Sequence, residues 1–265
     1  MDRSVNASPE FRWLERGQGE AVVLLHGLMG EVDHWEPVLE HLGERHRAMA
    51  PLLPIFDPLL AEPSLNALAD HVVRGLDGLG IERAVVGGNS LGGHVALTLA
   101  LRWPARVSGL ILTGSSGLFE RGFTRNVPHV PTAEYIREKM EEIFYDPDLV
   151  TPSWVETVRR IVTTRASALR VVQFARAAKR DSLEARLPEI AAPALLVWGK
   201  EDRVTPVEVA ERFQQLIPES ELTFITNCGH APMLEHPAIF ARIVAEWLRE
   251  TAPRRAAAAG AGGRR

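Results

Sequence analysis

The sequence predicts one large α/β domain: a mostly parallel, doubly wound sheet with a helical cap inserted into it. Three observations carry this expectation. Short apolar runs alternate with helix-like periodicities from Ala21 to Thr113 and again from Pro193 to Arg249. The runs are short and largely apolar, as in strands covered on both faces. Between them, from Gly117 to Leu187, the pattern changes to helix alone, over about 70 residues, too long for a crossover and too structured for a loop. The expected division is a first core part at 1–116, the cap at 117–187, a second core part at 188–251 and a disordered tail at 252–265. A chain of 265 residues is long enough to bury such a core.

Taken in order, Ala21 to His26 reads as an apolar strand ending in a glycine-rich turn. Asp33 to Leu42 reads as a helix with Trp35, Val38, Leu39 and Leu42 on one face. Arg47 to Leu53 is a short strand. Ser64 to Leu79 is an amphipathic helix with Ser64 as N-cap and Gly80 as its stop. The strand Ala84 to Gly88, a helix to Trp103 and the strand Val107 to Thr113 follow. In the cap, Tyr135 to Phe144, Ser153 to Thr164 and Ala166 to Ala178 read as helices. Pro193 to Trp198 and Glu221 to Ile225 are strands flanking the helix Pro206 to Leu216, and Ala238 to Arg249 is the closing helix. The Ala/Gly/Arg composition of the last residues is that of a solvated tail.

Composition narrows the partners. Thirty-four acidic and 30 basic residues, interspersed, give a net charge of −4, which argues against a nucleic-acid footprint. A single cysteine, Cys228, excludes an internal disulfide framework and a cysteine-rich metal site. The residues after Met1 lack the charged-then-apolar plan of a signal peptide, and no apolar run approaches the length of a membrane span. The expectation is a cytoplasmic protein that uses a small-molecule substrate, no membrane, no cofactor and no metal, and that is compatible with a homo-oligomer.

The most informative stretch is Val85-Val86-Gly87-Gly88-Asn89-Ser90-Leu91-Gly92-Gly93-His94. A strand, Gly-x-Ser-x-Gly and a helix in that order make a nucleophile elbow, in which Gly88 and Gly92 are small because a Cβ would meet neighbouring backbone. Ser90 then stands clear of the sheet at a helix N-terminus, where developing negative charge is favoured. A serine hydroxyl is a weak nucleophile and needs an oriented base. His230, in the loop after the strand ending near Ile225, is the candidate; His236, before Pro237, reads as a helix-entry residue. His34, His41, His46 and His71 read as solvent-exposed, and His94 as packing beneath the site. For the orienting acid, Asp202 lies in the loop after Trp198-Gly199, with Glu201 as the competing carboxylate. His26-Gly27-Leu28-Met29-Gly30 follows the first core strand, so the Leu28 and Leu91 N–H groups are the candidate oxyanion donors.

With these motifs in this order, the chain resembles the α/β-hydrolase superfamily over Val22 to Leu248. Within it, Asn89 before the nucleophile, the runs Arg102 to Val107 and Ile143 to Pro147, and Cys228-Gly229-His230 resemble the cap-bearing group of meta-cleavage-product (2-hydroxy-6-oxo-dienoate) hydrolases and related carboxylesterases. Two positions differ. Those C–C hydrolases follow the histidine with a tryptophan, where Ala231 and Pro232 stand here. Val158 aligns with their cap arginine, and Arg159 and Arg160 are one step, about 100° of helix, out of phase. The segment Pro51 to Asp57 also lacks the glycine-rich turn common after that strand. The resemblance implies a cofactor-independent serine hydrolase with a Ser90–Asp202–His230 triad, supported by His26, Gly27, Asn89, Gly88 and Gly92. Small or medium carboxylic esters are the expected substrates, with C–C cleavage of vinylogous diketones as the alternative. A ligand-binding protein of the same fold is the reading from a different class. Dehalogenase and epoxide-hydrolase chemistry need an aspartate where Ser90 stands.

Overall fold

A computed structural model describes residues 6–8, 11–58, 60, 62–120 and 131–261. Eight strands among them form one sheet: β1 (Asn6–Ser8), β2 (Phe11–Arg16), β3 (Ala21–Leu25), β4 (Arg47–Pro51), β5 (Ala84–Asn89), β6 (Val107–Thr113), β7 (Ala194–Gly199) and β8 (Ser220–Ile225). Their spatial order is β1-β2-β4-β3-β5-β6-β7-β8, antiparallel at the β1/β2 and β2/β4 pairings and parallel from β4 onward. β1 and β2 are additions to the sequence reading; Phe11 and Leu14 bury themselves from β2 while Arg12 stays exposed.

The central strands are buried on both faces, and successive side chains feed two separate apolar clusters. From β3, Val23 and Leu25 join one cluster, Val22 and Leu24 the other; from β7, Leu196 and Trp198 join the first, Leu195 and Val197 the second. The first cluster is closed by α2 (Leu65–Gly78), α3 (Leu91–Arg102) and α7 (Val207–Leu216). The second is closed by α1 (Glu36–Leu42) and the C-terminal helix. Burying one such Leu or Val on both sides of the sheet contributes roughly 1.5–3 kcal/mol.

Between β6 and β7 the described residues form three α-helices, α4 (Ala133–Glu141), α5 (Pro152–Thr163) and α6 (Arg165–Arg180). Thr132 and Thr151 cap the first two by accepting from Tyr135 N–H (3.2 Å) and Trp154 N–H (3.3 Å). Ile136 and Met140 of α4 and Val155 and Val158 of α5 pack into the second cluster, whereas Phe174 of α6 packs into the first. A four-residue helix, α8 (Pro232–Glu235), precedes α9 (Pro237–Ala261).

Two expectations need correction. The helix read at Asp33–Leu42 is a 3₁₀ turn at Val32–Trp35 followed by α1, because Pro37 favours the first turn of a new helix. The tail expected to be disordered from residue 252 is instead helical through Ala261. Its alanines are strong helix formers, and Arg255 is buried, paired with Glu20 (2.7 Å) and bonded to Leu248 O (3.0 Å) and Thr251 Oγ1. Residues 262–265 of that expectation lie outside the described residues.

Candidate active site

Ser90 lies at the junction of β5 and α3 with φ +54° and ψ −119°, one of two non-glycine residues with positive φ among those described. The surroundings enforce this conformation. Ser90 N–H donates to Thr113 O (3.1 Å), and Ser90 O accepts from His94 N–H (3.2 Å), Ser116 N–H (3.2 Å) and Ser116 Oγ (3.3 Å). A Cβ at Gly88 would lie 2.4 Å from the Gly92 carbonyl carbon, and one at Gly92 would lie 2.2 Å from Leu25 O. Both glycines are therefore required by close backbone approach.

The turn after β3 passes against this elbow. A Cβ at Gly27 would sit 3.5 Å from Ser90 Cβ and 3.4 Å from Asn89 Oδ1. His26 anchors the turn: Leu53 N–H donates to Nε2 (3.0 Å), which leaves the proton on Nδ1 to donate to Gly27 O (2.8 Å). Burial lowers the His26 pKa to about 4, so the ring holds this neutral tautomer across the working range. Leu28 follows in the same turn, and Leu91 opens α3, so its N–H precedes the intrahelical ladder.

Beyond the ends of β7 and β8 lie the candidate acid, Asp202, and the candidate base, His230. His230 Nδ1 is 2.9 Å from Asp202 Oδ2, and both side chains are buried. Asp202 Oδ1 accepts from Val204 N–H (2.8 Å) and Thr205 N–H (2.9 Å), and Oδ2 also accepts from Thr205 Oγ1 (2.8 Å). Burial would raise the Asp202 pKa, but His230 and the Thr205 donors outweigh it and hold the carboxyl below its usual range. Burial would likewise lower the His230 pKa, yet Asp202, with smaller help from Glu120 and Glu235, raises it. The carboxylate's contribution to stability is thus present above the ordinary aspartate pKa and lost as pH falls through its lowered value. The imidazolium's contribution is present below the ordinary histidine pKa and lost as pH rises through its raised value.

The acid and base loops are in backbone contact. A Cβ at Gly199 would lie 1.9 Å from Gly229 O. Glu201 N–H donates to Cys228 O (2.9 Å), and Glu201 Oε2 accepts from Cys228 N–H (3.0 Å), so the competing carboxylate braces the loop instead of facing the imidazole. Asn89, adjacent to Ser90, donates through Nδ2 to His230 O (2.9 Å) and Thr113 O (3.1 Å). That side chain joins the end of β5 to the loop carrying His230.

The remaining histidines divide. His236 Nε2 donates to Asn227 O (2.7 Å) at the entry to α9. His94 is fully buried beneath the elbow, with Nδ1 3.4 Å from Ser116 Oγ and Nε2 3.3 Å from Asp181 Oδ2. His41 is exposed, but His34, His46 and His71 are half-buried, against the reading from sequence. Two of these rings meet aromatic neighbours: His34 meets Trp154 edge-on (5.3 Å) and His71 meets Phe11 (5.4 Å). Thr205 was not singled out in the sequence; Asp-x-x-Thr after a strand is its only local signal.

In α5, Val158 is buried; Arg159 pairs with Glu156 (2.7 Å) and Arg160 Nη2 donates to Thr157 Oγ1 (3.3 Å). Among the described residues no group of three or more His, Cys, Asp or Glu side chains is placed to hold a metal ion. No helix among them is long and apolar enough to cross a membrane.

A model of the alpha/beta hydrolase family matches residues 22–243. The chain belongs to that family. The 2-hydroxy-6-oxononadienedioate/2-hydroxy-6-oxononatrienedioate hydrolase 2 of Pseudomonas putida is 32% identical, over 90% of this chain and 91% of that protein. MGS-MChE2, an alpha/beta hydrolase enzyme from a lagoon-sediment metagenome, is 32% identical with a TM-score of 0.76, over 94% of this chain and 99% of its own. A thermophilic esterase from Thermogutta terrifontis is 25% identical with a TM-score of 0.74, over 93% and 96%. As a member of this alpha/beta hydrolase family, the chain is a hydrolase enzyme, related both to C–C hydrolases and to an esterase.

Proposed function

We propose that this hydrolase cleaves small or medium carboxylic esters through an acyl-enzyme on Ser90. The observation that carries the proposal is the buried Asp202–His230 pair, tethered through Asn89 to the elbow that bears Ser90. In this reading His230 Nε2 takes the Ser90 Oγ proton as oxygen attacks the ester carbonyl, while Asp202 fixes the Nδ1–H tautomer and stabilises the imidazolium. The Leu28 and Leu91 N–H groups receive the oxyanion; losing one such donor costs on the order of 3 kcal/mol in the transition state. Nε2–H then protonates the departing alcohol, and water repeats the sequence on the acyl-enzyme. Helices α4, α5 and α6 act as the cap over the sheet-bearing core; residues 121–130 of the expected cap lie outside the described residues. Incubation with a fluorophosphonate is expected to label Ser90 alone, and nitrophenyl esters of two to eight acyl carbons are expected to turn over faster than a meta-cleavage dienoate. Labelling elsewhere, or none on active protein, sinks the assignment.

The Pseudomonas putida relative favours a second reading, C–C cleavage of a dienoate. A dienoate carboxylate needs a cation, and α5 offers Arg159 and Arg160, already engaged with Glu156 and Thr157, beside a buried Val158. For the ester reading, Arg159→Ala and Arg160→Ala each leave the ratio of acidic to neutral substrate rates within about threefold. A desolvated arginine–carboxylate pair removed by either change instead costs roughly 2–4 kcal/mol in kcat/KM, on the acidic substrate alone. That selective loss, if measured, puts C–C cleavage first.

A further inference from the structure

The loop carrying His230 has no regular secondary structure, yet its backbone is held group by group. Toward the core, Cys228 exchanges bonds with Glu201, and His230 O accepts from Asn89 Nδ2 (2.9 Å). Toward the inserted helices, His230 N–H donates to Ile143 O (2.8 Å). Glu235, on the α8 turn that follows, completes the second set. Its Oε1 accepts from Gly229 N–H (2.7 Å), and its Oε2 accepts from Tyr145 N–H (2.7 Å), in the link between α4 and α5.

The two backbones touch: a Cβ at Gly229 would lie 2.5 Å from Ile143 O and 2.9 Å from Tyr145 N. One half-buried carboxylate therefore bridges the residue before the base and the segment that joins two inserted helices. Gly229 is buried, so its N–H has little water to turn to once Glu235 is lost, whereas the exposed Tyr145 N–H can be solvated and loses only the bridge. We infer that Glu235 is a positioning residue, registering the His230 imidazole against the Ile143–Tyr145 segment, so that alignment of the base depends on the docking of the inserted helices. The inference rests on the reading of His230 as the general base.

Glutamine is the informative replacement. Its single carbonyl oxygen serves one of the two amides and turns an NH₂ toward the other, whereas alanine abandons both. With a nitrophenyl ester and rates normalised to sites titrated by fluorophosphonate, E235Q is expected to lower kcat about tenfold and E235A about 100-fold, the order for a misplaced catalytic group. KM should stay within about threefold. Amide hydrogen exchange at Gly229 and Tyr145 should quicken in both variants.

A pH profile separates positioning from packing. Asp202, Glu120 and Glu235 are the anions that raise the His230 pKa, and the buried Cys228 thiol beside Glu235 is held protonated. Removing one of those anions moves the acid limb of kcat/KM to lower pH. His230→Ala is the control. If it is inactive while folded E235A keeps wild-type kcat, or loses kcat with an unmoved limb, the inference about Glu235 is overturned and the base assignment stands. If His230→Ala remains active, the base assignment itself falls. Should E235A fail to fold, E235Q decides by the same readouts.

Discussion

Ser90→Ala is expected to abolish turnover, and Ser90→Gly to abolish it equally while unfolding at a higher temperature than the parent. The first loss is that of the nucleophile, on the order of 10⁶ in kcat by analogy with serine proteases. The second expectation comes from the backbone. Ser90 is held at φ +54°, a conformation that costs a residue with a Cβ about 1–3 kcal/mol and glycine almost nothing. Glycine gives back about 0.5–1 kcal/mol through the freer unfolded chain, which leaves a net gain. Alanine keeps the Cβ and the strain, so Ser90→Ala should melt within a degree or two of the parent, at about 2–4 °C per kcal/mol for a chain of this size. Calorimetry on the three proteins, beside ester turnover, checks both parts. A Ser90→Gly protein that melts below Ser90→Ala would mean that the elbow is not strained, and a folded Ser90→Ala protein with ester activity would mean that Ser90 is not the nucleophile.

The parts of this site that were legible in the sequence are those fixed by local steric demand. Gly88 is small because the chain meets itself four residues on, at Gly92, and Gly92 because Leu25 at the end of β3 passes against the same turn; demands that converge on one turn leave a short motif. The strands were legible for a related reason: β3, β5, β6 and β7 are buried along their whole length and largely apolar, with Asn89, Ser108 and Thr113 the polar exceptions. What escaped depends on partners distant in sequence. Arg255 becomes buried because Glu20 stands 235 positions earlier, and nothing in an Ala/Arg-rich segment announces that pairing. The half-burial of His34 is decided by Trp154, and the bracing role of Glu201 by a backbone amide at Cys228. Thr205 gives no such signal, because a threonine near a helix start reads equally well as a cap. Its hydroxyl instead donates to the carboxylate that faces His230.

That hydroxyl bears on the second large effect. Asp202→Asn should lower kcat by about 10⁴, the size seen when the triad aspartate of a serine protease is replaced, while leaving the fold almost unchanged. The fold survives because Asn Oδ1 still accepts from Val204 and Thr205 N–H, so the loop keeps its shape. At the other end of the side chain, an NH₂ replaces Oδ2 and meets two donors, His230 Nδ1–H and Thr205 Oγ1–H. The hydroxyl can rotate away and accept from the new NH₂. The imidazole cannot rotate without leaving the site, and the arrangement that removes the clash moves its proton from Nδ1 to Nε2. Nε2 is the atom that must accept from Ser90, so the protein is left folded with its base occupied. The pH dependence gives an independent sign. Asp202 is the strongest of the influences that raise the His230 pKa, so its loss must carry the acid limb of the residual activity to lower pH. Glu201→Gln, in contrast, keeps an acceptor for Cys228 N–H and should change kcat by less than about threefold. A crippled Glu201→Gln beside a nearly normal Asp202→Asn would exchange the roles of the two carboxylates; an acid limb that rose in Asp202→Asn would show that some other anion holds the imidazole.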